Sequence, residues 1–240
     1  MPDLFANWHY LSFGEGGWGM NMLRGLASTL QIALGAYALG LFIGFFGALG
    51  KINGGVITRW LLEIYTTLIR AVPELVLILL LYYAGTGAIN ALLVSMGYRP
   101  IDISGLVAGI VVLGIVQGAY STEVIRGAML AVPRGQIEAA KAFGMSDWKV
   151  LRRITLPAML PLALPGLSNL WLIVTKDTAL LAVVGFSELA LTTRQAAGST
   201  RAYFMFFLAA ATLYLLVTLV SNQIFKWLEK RASRGLPEPG

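Results

Sequence analysis

The chain has 240 residues, a net charge of +6 and no cysteine; 57% of its residues are hydrophobic and only 12% are charged. A soluble domain carries about 25% charged residues, so a bilayer is the natural solvent for this chain. The missing cysteine excludes disulfides, thiolate metal sites and cysteine nucleophiles, and the single histidine, His9, lies in the polar N-terminal lead, which leaves zinc chemistry and a serine–histidine–aspartate triad without support.

No basic residue precedes Arg24, so the charged leader of a cleavable signal peptide is missing and the first apolar stretch is expected to remain as a span. A spanning helix needs about 20 mostly apolar residues. Five segments qualify, which predicts an all-α polytopic membrane protein with about five transmembrane helices in a single domain, residues 1–234. The first runs from about Met22 to Leu49 and the second from about Trp60 to Tyr83, carrying Arg70, Pro73 and Glu74. The stretch 84–98 is apolar but short, with glycines at 85, 87 and 97; it reads as a short interfacial helix and loop, with a re-entrant span as the alternative. The third span runs from about Ile103 to Ile125, the fourth from about Leu160 to Phe186 with Lys176 and Asp177 interrupting it, and the fifth from about Ala202 to Trp227. Residues 235–240 hold two prolines and no apolar pattern, and are expected to be disordered.

Orientation follows from the lysine and arginine count. With the N-terminus outside, the inner face receives Lys51, Arg59, six basic residues of the loop 126–153 and four of the tail, twelve in all; the outer face receives Arg24, Arg99, Arg194 and Arg201. The central loop and the C-terminus are therefore expected in the cytoplasm of a bacterial cell, and the N-terminus in the periplasm.

That central loop, about 131–157, is too charged to span, yet its apolar residues Ile137, Ala140 and Phe143 recur at helical spacing. Ser146 is a plausible N-cap for a second short helix. Two short amphipathic helices at the membrane surface fit the pattern; the simplest alternative role is a helix resting on anionic lipid. Within the loop, Glu138-Ala139-Ala140 is followed by Gly144, Ile154 and Leu156-Pro157. This spacing resembles the signature of permeases of ATP-binding-cassette importers, and the segments 65–83, 117–144 and 163–185 are similar to the polar-amino-acid branch, closest to histidine and octopine transporter subunits.

The resemblance implies a type I ABC importer permease fold and a role as the membrane subunit for polar or basic amino acids. It implies three protein partners: a cytoplasmic ATPase dimer, a second permease subunit (a paralogue or an identical copy) and a periplasmic amino-acid-binding protein. Arg134, Glu138, Ala139, Ala140 and Gly144 would then contact the ATPase. The chain has no GxxxxGK[ST] phosphate loop, so ATP and magnesium are expected on the partner, with no cofactor, metal or catalytic residue here. An ion-coupled secondary amino-acid transporter is the alternative, and it leaves the loop signature unexplained. Nucleic acid is not expected as a partner, because the basic residues are accounted for by orientation in the bilayer.

Charge inside a bilayer costs at least about 2.5–3.5 kcal/mol per residue on insertion scales, so such residues face protein or water and suggest function. Arg70 and Glu74 share a helix face. At ~1.5 Å per residue, Glu74 lies about 21 Å from Trp60, and Asp177 about 25 Å from Leu160, which puts both pairs at similar depth. Arg70, Glu74, Gln117, Tyr120, Asp177 and Thr178 are thus the expected lining of a substrate path, with internal ion pairing as the competing role.

Overall fold

The computed structural model describes residues 8–101 and 103–233, so the expected disordered tail lies outside the described residues. Nine α-helices carry those residues: α1 (Gly19–Asn53), α2 (Val56–Ala71), α3 (Glu74–Ser95), α4 (Gly105–Leu130), α5 (Arg134–Ala142), α6 (Asp147–Val150), α7 (Leu156–Asp177), α8 (Leu189–Thr200) and α9 (Tyr203–Ala232). A π-helical turn at Leu151–Thr155 joins α6 to α7, and a 3-10 segment, Thr178–Val184, follows α7. Five stretches are long and apolar enough to cross a membrane: α1, α3, α4, the run Asp147–Val184, and α9.

The second crossing differs from its expected limits. The α3 helix continues through Tyr83 to Ser95, so 84–95 is neither an interfacial loop nor a re-entrant span but the far half of a membrane helix. It ends where Gly97 takes φ +81 and the Gly97 and Tyr98 N–H groups bond back to Val94 and Leu93, a Schellman cap. Small residues in 84–95 lowered its apparent length without breaking the helix. The near end also differs: the chain breaks at Val72-Pro73, because Pro73 has no N–H to give the carbonyl of Ile69. Residues 56–71 thus form a separate helix, α2, whose only buried residues are Thr66 and Ile69.

The centre of the bundle is the parallel pair α1 and α4. Its register follows from the glycines: Gly35 faces Ile110, Gly40 faces Gln117, Gly44 faces Ser121 and Gly47 faces Thr122. The contact is reciprocal, since Gly114 faces Leu39 and Gly118 faces Ile43. A Cβ on Gly44 would come within 2.4 Å of Ser121 Cβ and 2.8 Å of its backbone carbon, so only glycine permits this approach.

The α7 helix runs antiparallel to α4, with Gly166 against Val124 and Leu181 against Gly109. Pro157, Pro161 and Pro165 fall four apart on it, so three backbone hydrogen bonds are missing along one stripe. The wide turn at Leu151–Thr155 lies directly before the first of them. Side chains tie α7 to its neighbours: Tyr37 Oη donates to the Leu167 carbonyl at 3.0 Å, and Trp171 Nε1 donates to Ser221 Oγ on α9 at 2.8 Å.

The loop after α4 forms α5 as expected, and Gly144 ends it. Its φ of +75 and the bonds from Gly144 and Met145 N–H to Lys141 and Ala140 carbonyls make a second Schellman cap. The expected second short helix is α6, with Ser146 at its N-cap position but without a side-chain cap bond, and α6 passes through the π-turn into α7. The loop therefore joins the fourth crossing rigidly at one end.

Candidate functional site

Two groups of charged side chains lie within the bundle. The first is at mid-depth, where α2 ends and α3 begins. Glu74 and Asp177 lie close enough for their carboxyls to act on each other, and Glu74 also acts on the Tyr120 hydroxyl. Arg70 and Asp177 lie close enough for their charges to act on Tyr120, and Lys176 acts on Asp177. Three helices, α3, α4 and α7, thus bring Glu74, Tyr120 and Asp177 together, with Arg70 from α2 beside them. Two facing carboxyls need a cation or a proton between them. Arg70 and Lys176 are exposed on the face of the bundle, and neither makes an ion pair among the described residues.

Two of the sequence-predicted residues point elsewhere. Gln117 is buried in the α1–α4 seam against Gly40, and its Nε2 has no hydrogen-bond partner. Thr178 is buried and donates to the Thr175 carbonyl at 2.8 Å, with its hydroxyl also turned to Tyr214. Its neighbours are those of Glu188 rather than those of Asp177.

Glu188 lies in the loop between two spans, yet it is 0% exposed. Glu188 caps α8, accepting from Leu191 N at 2.7 Å and Ala190 N at 2.8 Å. The Thr29 and Tyr214 hydroxyls donate to the same carboxyl at 3.3 and 3.4 Å. Burial pushes the carboxyl above its ordinary range, against the four hydrogen bonds that pull it down. An acidic residue placed between Gly185 and the run Leu189–Thr200 is the signal that marks it as an N-cap.

The second charged group sits at the end of the bundle nearest α5. Lys51, Glu63, Glu123 and Arg126 form one network. Beside it, α5 leans on the ends of α1 and α4: Ile137 packs with Ile52, Leu49, Met129 and Val132. Ala140 is buried, whereas Arg134, Glu138, Ala139 and Gly144 are exposed. Phe143, directly before the capping glycine, is 89% exposed. A cavity of about 550 Å³ opens between α5, the π-turn and the ends of α1 and α4. No group of three acidic or histidine side chains is placed to hold a metal among the described residues.

Residues 21–234 match the family described as binding-protein-dependent transport system inner membrane component. The chain belongs to this family. It is 43% identical over 215 residues to the histidine/lysine/arginine/ornithine transport system permease protein HisQ of Escherichia coli (strain K12), covering 90% of this chain and 94% of the relative. It is 40% identical to the octopine transport system permease protein OccQ of Rhizobium radiobacter, covering 94% and 96%. Among solved structures, an amino acid ABC transporter with histidines aligns with a TM-score of 0.75 at 29% identity, over 89% of this chain and 95% of that one. The inward-facing MetNI methionine ABC transporter aligns with a TM-score of 0.70 at 20% identity, over 90% and 99%, a likeness of fold alone. The expected all-α, five-crossing ABC importer permease fold is thus the fold found, in a multi-pass inner-membrane protein.

Proposed function

We infer that this permease moves amino acids with a cationic side chain, and that the Glu74–Tyr120–Asp177 group with Arg70 forms its recognition site. The single observation that carries the reading is the mid-depth pairing of two carboxyls beside an arginine without an ion-pair partner. An ammonium or guanidinium group supplies the positive charge that the carboxyls lack. A substrate carboxylate supplies the negative charge that Arg70 lacks. The printed substrates of two relatives, histidine/lysine/arginine/ornithine and octopine, support this chemistry. Gln117, in the α1–α4 seam, and Thr178, bonded to the Thr175 carbonyl, stand outside this group.

The same reading assigns the exposed side of α5 and its capped turn to a cytoplasmic ATPase dimer, which binds the ATP and magnesium. A second permease, identical or a paralogue, covers the face that bears Arg70 and Lys176, and a periplasmic binding protein delivers the amino acid. The end bearing Lys51, Arg59 and α5 is cytoplasmic, and the N-terminus is periplasmic. The excess of basic residues at the α5 end supports that orientation.

The test is uptake in vesicles containing the full complex. Asp177→Asn is expected to lower arginine uptake at least tenfold and to leave uptake of a neutral amino acid within twofold. Equal arginine uptake by the variant and the parent would refute the assignment of the recognition site. Arginine uptake by the parent without the ATPase subunit would refute the ABC assignment.

A further inference from the structure

Lys51 is nearly buried, with 5% of its side chain exposed, and it lies in the last turn of α1. Its ammonium has three protons, and each has an acceptor on another helix. Nζ donates to Glu63 Oε2 at 2.6 Å and to Thr66 Oγ1 at 2.7 Å, both on α2. The third bond goes to Glu123 Oε1 on α4 at 2.7 Å. The second oxygen of Glu123 accepts from Arg126 Nη2 at 2.7 Å and Nε at 3.1 Å. Two cations and two anions close the network with no net charge.

This node has a neighbour on either side. Towards the loop, Ile52 follows Lys51 directly and packs in the cluster that carries Ile137 of α5, and α4 reaches α5 only three residues after its last turn. Elsewhere α2 is held by single contacts: Arg59 Nη2 donates to the Ile52 carbonyl at 3.0 Å, Leu62 lies against Gly50, Ile69 packs with Val116 and Ala119, and the Tyr65 hydroxyl donates to the Ile115 carbonyl. The α2 helix then ends with Arg70 and Ala71, and the break at Val72-Pro73 leads straight to Glu74. The cavity beside α5 gives the loop room to move against the ends of α1 and α4.

We propose that Lys51 is the positioning residue that fastens α2 to the α1–α4 pair, so that displacement of α5 is carried through α2 to Arg70 and Glu74. The proposal rests on the reading of this chain as the subunit driven by a separate ATPase. Lysine suits the post because three acceptors from two helices surround a tetrahedral ammonium, an arrangement that the planar fork of a guanidinium does not reproduce. Without the pin, α5 still engages its partner, but its movement no longer reaches the recognition site.

The experiment measures amino acid transported per ATP hydrolysed by the reconstituted complex with its ATPase and binding protein. Lys51→Met is expected to lower that ratio at least fivefold, with ATP hydrolysis within twofold of the parent; Lys51→Arg, which keeps the charge, recovers at least half. A ratio within twofold of the parent in Lys51→Met overturns the proposal. Absence of ATP-dependent uptake in the parent counts against the functional reading instead. A second measurement needs no transport. The chain has no cysteine, so spin labels on Ile57→Cys and Leu130→Cys report the α2–α4 separation alone; both positions are exposed. In detergent the parent gives one narrow distance, and Lys51→Met, or Glu123→Gln if the former does not fold, gives a distribution at least twice as wide. An unchanged width in the variant overturns the proposal.

Discussion

The contact between α1 and α4 and the contact between α2–α3 and α7 lie at the same depth in one bundle, yet they are built by opposite means. In the first, glycines bring backbones together and almost every buried group is apolar or internally bonded; only Gln117 Nε2 and Ser121 Oγ go without a partner. In the second, charged side chains meet across a loosely packed face, with Arg70 and Lys176 exposed. Tight packing fixes a geometry, because a well-packed seam does not deform gradually. An open charged face leaves groups free to bind. The bundle thus separates its rigid frame from the face proposed as its working surface.

Overpacking the frame should have the largest effect. Gly44→Val puts a branched side chain where even a Cβ would lie 2.4 Å from Ser121 Cβ. Most of the folded protein should be lost, measured as monodisperse yield in detergent. Gly87→Ala is the control: a Cβ there meets nothing within 4 Å, and the melting temperature should move little, in keeping with surface changes of about 0.5 kcal/mol or less.

On the working surface the effects should reverse. Arg70→Gln should reduce uptake of cationic amino acids at least tenfold while shifting the melting temperature by less than about 2 °C, since an exposed charge without an ion-pair partner contributes little to stability. A melting temperature that falls with uptake would place Arg70 in the frame instead.

Smaller effects sharpen the boundary between the two regions. Ser221→Ala removes the acceptor of Trp171 Nε1 and should cost about 1–3 kcal/mol, read by thermal unfolding, because a buried donor is left unpaired. Glu188→Gln should show the smallest effect, and one that depends on pH. The folded-state pKa of Glu188 is raised, so its stabilising contribution is fullest below the unfolded value and declines as pH rises through the folded one. The melting temperature of the parent minus that of Glu188→Gln should therefore fall as pH increases above about 4.5. A flat difference would mean that its four hydrogen bonds offset its burial fully.

The frame was easier to read from sequence than the working surface. Close helix contact is legible in the recurrence of Gly35, Gly40, Gly44 and Gly47 along the first apolar segment, and the spacing from Glu138 to Pro157 announced the loop. The depth comparison brought Glu74 and Asp177 together because both helices could be counted from one side. The count failed where local chemistry outweighed hydropathy. Pro73 split the second segment, and Gly85 and Gly87 made the far half of α3 resemble a loop. The partners of Lys51 and Glu188 were not legible, because they are fixed by long-range packing: Thr29 and Glu188 are 159 residues apart.

The elbow at Val72-Pro73 has a consequence for how this subunit sits among its neighbours. Hydrocarbon offers no hydrogen bonds, so backbone left open at that depth has to be screened by protein or wetted. The Ile69 carbonyl cannot find its usual donor in Pro73, and the first N–H groups of α3 point the other way along the same axis. The side of the bundle that carries this joint is consequently one that protein or water has to cover, whereas exposed apolar side chains such as Phe42 and Phe46 of α1 and Leu215 and Leu219 of α9 suit a lipid shell.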